Sequence, residues 1–172
     1  MRDSIIKWEE SDTFNPAAIA KGNKIVVLYR AEDNSGQGIG KRTSRIGYAE
    51  SKDGIKMTRR KKPVLFPDKD EYKDIEWPGG CGDPRVAMTE VGLYAMLYTA
   101  WNRKKARLAV ATSKDLINWA KHGLAFGDAY EGRFKDLFRK SASILTHINN
   151  GKIVIDIVNG EYFMDPCERA IH

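Results

Sequence analysis

Short apolar runs bounded by turn residues dominate the pattern of this chain. Residues 24–30, 93–98 and 152–158 are rich in Val, Ile, Leu and Tyr, which is typical of β-strands. They begin close after the turn residues Gly22-Asn23, Gly92 and Asn150-Gly151. Asn159-Gly160 then joins the third run to residues 161–164. An Asn-Gly pair between two strand segments predicts a β-hairpin.

Helical patterns are weak by comparison. Residues 8–13 and 114–119 could each form a short turn. Neither segment carries an apolar stripe with the 3.6-residue period over three turns. The sequence therefore predicts an all-β fold.

An internal repeat indicates which all-β architecture the chain adopts. Residues 45–55 recur as residues 107–117, with Arg, Ala, Ser-Lys-Asp and Ile at matching positions. Each copy follows a strand that contains a Tyr near its end, at Tyr29 and Tyr98. Repeated antiparallel sheets of this kind are typical of a β-propeller.

The length of the repeat limits how much of a propeller the chain contains. The two copies lie 62 residues apart, and propellers close with four to eight blades. We therefore expect residues 1–172 to form a single partial β-propeller domain, a fragment of about two to three blades. Its repeat units are predicted near 14–67 and 83–126, and a third begins near 140. Open sheet edges favour completion by a longer chain or association into a homo-oligomer.

The composition is that of a soluble domain, with 42% apolar and 30% charged residues. No run approaches the roughly 20 apolar residues of a membrane span, and the chain start lacks the apolar segment of a secretory signal. Cys81 and Cys167 imply no disulfide framework and favour a reducing, cytoplasmic location. The three histidines are scattered, so we expect no metal and no other cofactor.

The net charge of +6 is concentrated in two basic runs, residues 58–62 and 103–107. Such runs can bind nucleic acid, but more often they are solvated loops between strands. No aromatic ladder alternates with the basic residues, as a single-strand binder would need. We expect no nucleic-acid partner, and a basic nucleic-acid-binding domain remains only an alternative.

The candidate chemistry lies in residues 77–86, where Pro and Gly surround Asp83 and Arg85. Side chains at i and i+2 of an extended segment point to the same side. An extended backbone would therefore place both groups in one cleft, together with Arg30 or Arg45. An acid beside a fixed cation suits proton donation next to an anion. The alternative is an ordinary Asp–Arg pair in a tight turn.

The glycine-rich residues 35–42 look like a phosphate-binding loop at first sight. A Walker loop would need Gly in place of Ser35 and Ser or Thr in place of Arg42. No helix is predicted after the segment, so a flexible loop is the better interpretation. No Gly-x-Ser-x-Gly nucleophile motif occurs in the chain.

Several specific signatures follow one another along the chain. They occupy residues 14–18, 29–33, 43–48, 79–85, 98–102, 135–137 and 140–144. Together these motifs resemble glycoside hydrolase family 130, and within it most strongly the 4-O-β-D-mannosyl-D-glucose phosphorylases. The resemblance runs from about residue 14 to residue 164. It implies a five-bladed β-propeller with the active site at its central channel.

The resemblance also implies an activity and a set of site residues. The reaction is inverting phosphorolysis of a β-mannoside to α-mannose 1-phosphate and a released sugar, with inorganic phosphate as co-substrate. Asp83 matches the catalytic acid of the family, which passes its proton through a sugar hydroxyl to the leaving oxygen. The positions matched to the sugar and phosphate site are Asn15, Arg30, Ser44, Arg45, Arg85, Asn102 and Lys140.

The chemistry of these residues agrees with phosphorolysis. Phosphate is already an anionic nucleophile, so the site needs one acid and a cationic cradle, which Arg30, Arg45 and Arg85 could form. For each arginine the alternative is a structural salt bridge. A β-mannosidase on the same fold would use water and need a second carboxylate about 6.5–9.5 Å from the first. Glu32 and Asp33 are the nearby candidates.

Two features depart from the family pattern. Gly82 stands where the family usually has Glu before the catalytic Asp, which removes a charge that could orient an arginine or the sugar. Residues 165–172 do not continue the family's next strand, so we expect the later blades to be absent. A catalytically inactive sugar-binding fragment is therefore a further alternative.

Overall fold

The computed structural model describes residues 6–128, 131–135, 138 and 140–166. Within these residues the chain consists mainly of strands, which confirms the all-β prediction. A 3₁₀ turn at Lys7–Glu9 lies near the turn predicted from residue 8, and residues 114–118 form bends. One four-residue helix, α1 (Lys73–Glu76), has no counterpart in the sequence patterns. No helix in the described ranges is long and apolar enough to cross a membrane.

The first part of the sheet is an antiparallel meander. Its strands are β1 (Thr13–Lys21), β2 (Lys24–Glu32), β3 (Ser44–Ser51) and β4 (Thr58–Arg59). Each strand pairs antiparallel with the next one along the chain. Gly22, with a φ of +60°, allows the tight turn between β1 and β2.

A second meander repeats this arrangement. Its strands are β5 (Gly80–Met88), β6 (Tyr94–Trp101), β7 (Ala106–Ser113) and β8 (Ala120–Leu124), again paired in chain order. β3 and β5 meet in parallel at the pair Ser44 and Gly80. The two meanders have the form of successive propeller blades. The ranges assigned to the repeat units from the sequence stay a prediction.

The remaining strands are short. They are β9 (Ala142–Ile144), β10 (Thr146–Asn149), β11 (Lys152–Ile155), β12 (Ile157–Val158), β13 (Glu161–Tyr162) and β14 (Met164–Pro166). The hairpin predicted at Asn159-Gly160 is confirmed as the pairing of β12 with β13. The strand predicted over 152–158 is interrupted at Asp156, whose N–H donates to Leu145 O instead.

The core lies between the faces of the two meanders. Val26, Leu28 and Ile46 of the first meander pack in one cluster with Met96 and Tyr98 of the second. All five are 0% exposed. Each such side chain contributes on the order of 1.5–3 kcal/mol by leaving water, so the core joins the two meanders into one body.

The two Ser-Lys-Asp segments form the same turn, as their repetition predicts. In each copy the Ser Oγ accepts hydrogen bonds from the backbone N–H groups two and three residues later, at Ser51 and at Ser113. Asp53 Oδ1 and Asp115 Oδ1 each accept two more from the following backbone. The turns follow β3 and β7 respectively, so they close equivalent positions of the two meanders.

Candidate active site

Two irregularities of strand register create the candidate site. The β1–β2 pairing shifts around Asn15, and the β5–β6 pairing shifts around Asp83. Both residues have positive φ, +48° and +52°, a region that Asn and Asp adopt more readily than most residues. A bulge of this kind re-aims a side chain that regular alternation would place elsewhere. The first strands of the two meanders thereby direct Asn15 and Asp83 to one point.

The Asp83 carboxylate is buried, with 4% of the residue exposed. Asn15 Nδ2 donates to Asp83 Oδ1 at 2.7 Å, and Arg30 Nη1 donates to the same oxygen at 3.1 Å. Thr99 Oγ1 lies 3.4 Å from Oδ2. Asp83 is therefore held by three neighbours, and among the described residues its Oδ2 has only the long Thr99 contact.

Arg30 links Asp83 to a second carboxylate. Its Nη2 donates to Glu32 Oε1 at 2.6 Å, and its Nε donates to Ser44 Oγ at 3.0 Å. Ser44 Oγ in turn donates to Glu32 Oε1 at 3.0 Å. The guanidinium lies over the ring of Phe14, with Arg30 Cζ 4.6 Å from the ring centroid. Arg30 is thus fixed by two acids on its two terminal nitrogens.

Glu32 is fully buried, and one of its oxygens is left unsatisfied. Among the described residues, no group hydrogen-bonds to Glu32 Oε2. Arg42 Nη1 lies 3.9 Å from this oxygen, at ion-pair rather than hydrogen-bond distance. Of the two second carboxylates predicted from the sequence, Glu32 is the one that shares a guanidinium with Asp83.

A cavity of about 230 Å³ borders this network. Arg30, Ser44, Gly82, Thr99 and Lys140 are among the residues that line it. Asp83 is not part of the lining, but it contacts Arg30 and Thr99. Arg30, Ser44 and Lys140 were predicted as sugar or phosphate contacts, so the structure brings these three to the wall next to Asp83. No cluster of three or more metal-ligating side chains occurs in the part of the chain that the structure describes.

The expected grouping of Asp83 with Arg30 is confirmed, because the two side chains are 3.1 Å apart. Arg85 does not join them, so the part of the expectation that came from i and i+2 spacing is wrong. It assumed an extended backbone, whereas Asp83 has positive φ and the register shifts between Gly82 and Arg85. Arg85 Nη1 donates to Pro84 O at 2.8 Å, and the residue lines a separate cavity with Ala17. Its predicted role as a substrate contact stays a prediction.

Arg45 and Asn102 are also engaged elsewhere. Arg45 Nη1 donates to Asp33 Oδ2 at 2.7 Å. Burial raises the pKa of Asp33, but hydrogen bonds from Ser35 and Arg45 outweigh this effect and bring the pKa below its ordinary value. Asn102 Nδ2 donates to Asp74 O at 2.9 Å, which anchors α1. For both residues a contact with sugar or phosphate stays a prediction, and Lys135–Leu137 falls partly outside the described residues.

A buried acid supports the segment that leads into β5. Glu76, at the end of α1, accepts hydrogen bonds from Tyr98 Oη at 2.8 Å and Lys121 Nζ at 2.6 Å. Burial raises the pKa of Glu76, and Lys121 offsets part of this effect. Burial also raises the pKa of the neighbouring Cys81 thiol, which makes it a poor nucleophile. The Glu76–Lys121 pair ties α1 to β8 and fixes the chain just before Gly80.

Sequence reasoning missed the roles of Thr99 and Trp101. Thr99 Oγ1 contacts Asp83 and also accepts from the N–H of Ser141 at 3.3 Å. Trp101 lines the same cavity. Both residues lie in the Tyr98–Asn102 motif, in which only Asn102 was assigned. The alternation along β6 could have indicated Thr99 and Trp101 as neighbours on one face.

Fold and site together define a β-propeller protein with a buried carboxylic acid next to a small cavity that has polar and apolar walls. The family model described as β-1,4-mannooligosaccharide phosphorylase matches residues 5–171. This chain belongs to glycoside hydrolase family 130, whose fold is a five-bladed β-propeller.

Individual relatives agree with this assignment. A 1,2-β-oligomannan phosphorylase of Thermoanaerobacter sp. (strain X514) is 34% identical over 154 residues, which cover 87% of this chain and 47% of that protein. One similar solved structure carries the description that the GH130 family of mannoside phosphorylases contains glycoside hydrolases that target β-1,2 mannosidic linkages in Candida mannan. It is 61% identical, with a TM-score of 0.88, over 91% of this chain and 44% of that one. A glycosyl hydrolase from Bacteroides ovatus is 60% identical, with the same TM-score of 0.88, over 91% of this chain and 44% of that one. The chain spans about half the length of the curated relatives that it matches.

Proposed function

We propose that this chain carries the acid side of a β-mannoside phosphorylase site, with Asp83 as the general acid. The observation that carries the proposal is the buried Asp83 carboxylate, which Asn15 and Arg30 orient and which contacts Arg30 and Thr99, two residues of the cavity lining. Positioned general acids contribute roughly 10²–10⁴-fold to the rate. The curated relatives are about twice as long as the part that this chain matches, and we propose that further segments complete the site.

The geometry distinguishes the two oxygens of Asp83. Oδ1 accepts two hydrogen bonds, from Asn15 and Arg30, so in the protonated acid it takes the carbonyl role. The proton then resides on Oδ2, near Thr99. In the reaction this proton passes, directly or through a sugar hydroxyl, to the glycosidic oxygen as its bond to the mannosyl C1 breaks. A phosphate oxygen forms the new bond to C1 with inversion and gives α-mannose 1-phosphate.

Phosphate needs a cation that is not already neutralised. Arg30 is shared by Glu32 and Asp83, and Arg45 is paired with Asp33. Of the other two cations among the predicted site residues, Arg85 lines a separate cavity, whereas Lys140 lines the cavity next to Asp83. We propose Lys140 as the phosphate contact on this chain, with further cations from segments beyond it. The family description and the 34% identical relative, both phosphorylases by name, support phosphate as the nucleophile.

Hydrolysis is the second candidate, and one observation favours it. The description of the 61% identical structure says that this family contains glycoside hydrolases that target β-1,2 mannosidic linkages. Water as nucleophile needs a second carboxylate as base. Glu32 is the candidate on this chain, because its Oε2 has no hydrogen-bond partner among the described residues.

The relatives' names also bear on the linkage. The curated relatives are named for β-1,2-linked mannosides, whereas the sequence resemblance predicts mannosyl-glucose. We propose a β-1,2-linked mannoside as the first substrate to test and mannosyl-glucose as the second.

The test is phosphate-dependent turnover by the longest natural protein that carries this chain. β-1,2-Mannobiose, β-1,4-mannobiose and mannosyl-glucose are incubated with and without phosphate, and mannose 1-phosphate and free mannose are both measured. Mannose 1-phosphate formed only with phosphate supports the proposal. Mannose released at the same rate without phosphate establishes the hydrolase instead. Sugar binding without either product identifies a binding module. In a separate DNA-binding assay, an affinity that falls steeply with salt would favour the nucleic-acid alternative.

A further inference from the structure

The cavity beside Asp83 has a lining of two chemical kinds. Arg30, Ser44 and Thr99 present polar groups, whereas Trp101 and Ile39 present apolar surface. Its volume of about 230 Å³ lies below the roughly 300–1,000 Å³ of pockets for drug-sized ligands. A single small ring with both a polar edge and an apolar face fits such a space.

The Trp101 ring is held in place from several directions. Its Nε1 donates to Gly40 O at 3.0 Å. Gly79 lies against the ring so closely that a Cβ there would come within 2.2 Å of Trp101 Cδ1. Phe138 meets it edge-on, with ring centres 6.5 Å apart. A fixed, half-buried indole offers a flat apolar surface at little entropic cost.

Ile39 lies on the glycine-rich loop, residues 35–42, and is 73% exposed. Single exposed apolar residues are common on protein surfaces, but this one also lines the cavity beside Trp101. The loop is tethered to Trp101 through Gly40 O and is closed internally by Arg42 Nε donating to Gly36 O at 3.2 Å. The loop therefore positions an uncovered apolar side chain beside the acid site.

We propose that Trp101 and Ile39 form an apolar wall that binds the C–H face of one pyranose ring of the β-mannoside. This inference rests on the function proposed above. The ring's hydroxyls face Arg30, Ser44 and Thr99, and the glycine-rich loop covers the sugar. The polar groups discriminate between hydroxyl configurations, whereas the apolar wall supplies affinity and excludes water.

The experiment compares Trp101→Ala, Trp101→Phe and Ile39→Ser with wild type in the longest natural protein that carries this chain. Ile55→Ser is the matched control, because Ile55 is 83% exposed in the turn after β3 and lines none of the cavity. Binding of β-1,2-mannobiose and of mannose is measured by calorimetry, and kcat and KM by product release. Folding is checked by circular dichroism.

We expect Trp101→Ala to weaken binding by about tenfold or more, the loss of one aromatic contact and its burial. Trp101→Phe keeps a ring and should retain most of the affinity. Ile39→Ser should raise KM by about two- to fivefold with a smaller change in kcat, and Ile55→Ser should change neither. Bound sugar should also slow tryptic cleavage after Lys41, which is exposed on the loop.

Unchanged affinity in folded Trp101→Ala and in Ile39→Ser would overturn the inference while leaving the proposed function standing. If Trp101→Ala does not fold, the exposed Ile39 variant decides alone. If wild type binds mannobiose in a way that depends on Trp101 and Ile39 but forms no product, the wall is supported and the proposed function fails.

Discussion

Asn15 and Asp83 occupy matching bulges on the first strands of two successive meanders, and their side chains meet at 2.7 Å. Each has positive φ and is followed by Pro. The same local distortion, used twice, therefore produces one polar contact between blades. One copy carries an amide donor and the other the carboxylate acceptor, so the repeat has diverged into a site with distinct roles.

Asp83→Asn is the first prediction. The amide keeps the acceptor Oδ1 for Asn15 and Arg30 but cannot donate a proton as a carboxylic acid does. Turnover of the proposed β-mannoside substrate should fall about 10²–10⁴-fold, while sugar affinity and unfolding midpoint change little. Asp68→Asn, at an exposed position that does not line the cavity, is the control. The smallest expected loss is about 100-fold, so a variant that keeps more than about a tenth of the activity would show that Asp83 is not the acid.

Asn15→Ala and Asn15→Asp test the contact between the bulges. The alanine removes a hydrogen bond to a buried carboxylate. If that bond stabilises the transition state, its loss raises the activation free energy by about 1.5–3 kcal/mol and lowers turnover roughly 10- to 150-fold. The aspartate places a second carboxylate beside Asp83 and should reduce activity further at neutral pH. Kinetics of both variants check this. Equal activity of Asn15→Ala and wild type would make the contact structural only.

Much of the fold follows from the sequence alone. The β-branched runs predict β2 and β6, Asn159-Gly160 predicts its hairpin, and the Ser-Lys-Asp repeat predicts equivalent turns. These features are local, so each is encoded within a few neighbouring residues. The recurrence of an X-Pro pair at Asn15 and Asp83 was a further local signal of matching positions.

The site was less predictable because it depends on pairing between distant segments. Regular alternation placed Asp83 and Arg85 together, but the register shift separates them. That shift depends on how β5 pairs with β6, which no single segment determines. The two carboxylates that pair with Arg30 come from residues 32 and 83, so the sequence of β2 alone could not show that both terminal nitrogens of Arg30 are already engaged.

Lys121→Met should destabilise the fold more than Glu76→Gln. Removing the lysine leaves Glu76 buried without its cation, which typically costs about 3–5 kcal/mol, whereas glutamine keeps hydrogen-bonding capacity. Chemical unfolding at pH 7 checks the order. Lys62→Met, which alters an exposed lysine in a basic run, is the control. An equal or smaller loss for Lys121→Met would contradict the proposed role of the pair.

The same pair has a pH dependence of defined sign. Burial raises the pKa of Glu76 in the folded state above its ordinary value. The folded state therefore binds this proton more tightly than the unfolded state. The contribution of Glu76 to the free energy of unfolding falls as pH rises from its unfolded pKa through its raised folded pKa. The penalty of Lys121→Met should accordingly be smaller at about pH 4.5 than at pH 7, because the acid can then be neutral.

The repeated turns predict acid sensitivity of the opposite sign. Backbone hydrogen bonds from Lys56 and Ile55 lower the pKa of Asp53 to about 2. Hydrogen bonds from the Asn118 and Ile117 backbone likewise lower the pKa of Asp115. Their contribution is present above the unfolded pKa near 3.8 and is lost as pH falls toward 2. Asp53→Asn with Asp115→Asn should therefore flatten the stability profile between about pH 4 and pH 2. An unchanged slope in acid unfolding would contradict this.

Gly82→Glu tests whether the glycine is required by Arg30. A Cβ at residue 82 would lie 2.9 Å from Arg30 Cδ and 3.1 Å from its Nε, so any side chain there forces Arg30 to move. Arg30 would then lose its hydrogen bond to Asp83, and the added carboxylate would compete for a guanidinium that already serves Glu32. We expect turnover to fall about tenfold or more, the value of one charge-assisted hydrogen bond, and Gly82→Ala to show a smaller loss in the same direction. Val91→Glu adds the same charge at a position that is 89% exposed and should be neutral. If Gly82→Glu instead raises turnover, the arrangement of Arg30 between Glu32 and Asp83 is not the one used in catalysis, and the acid is oriented by residue 82 rather than by β2.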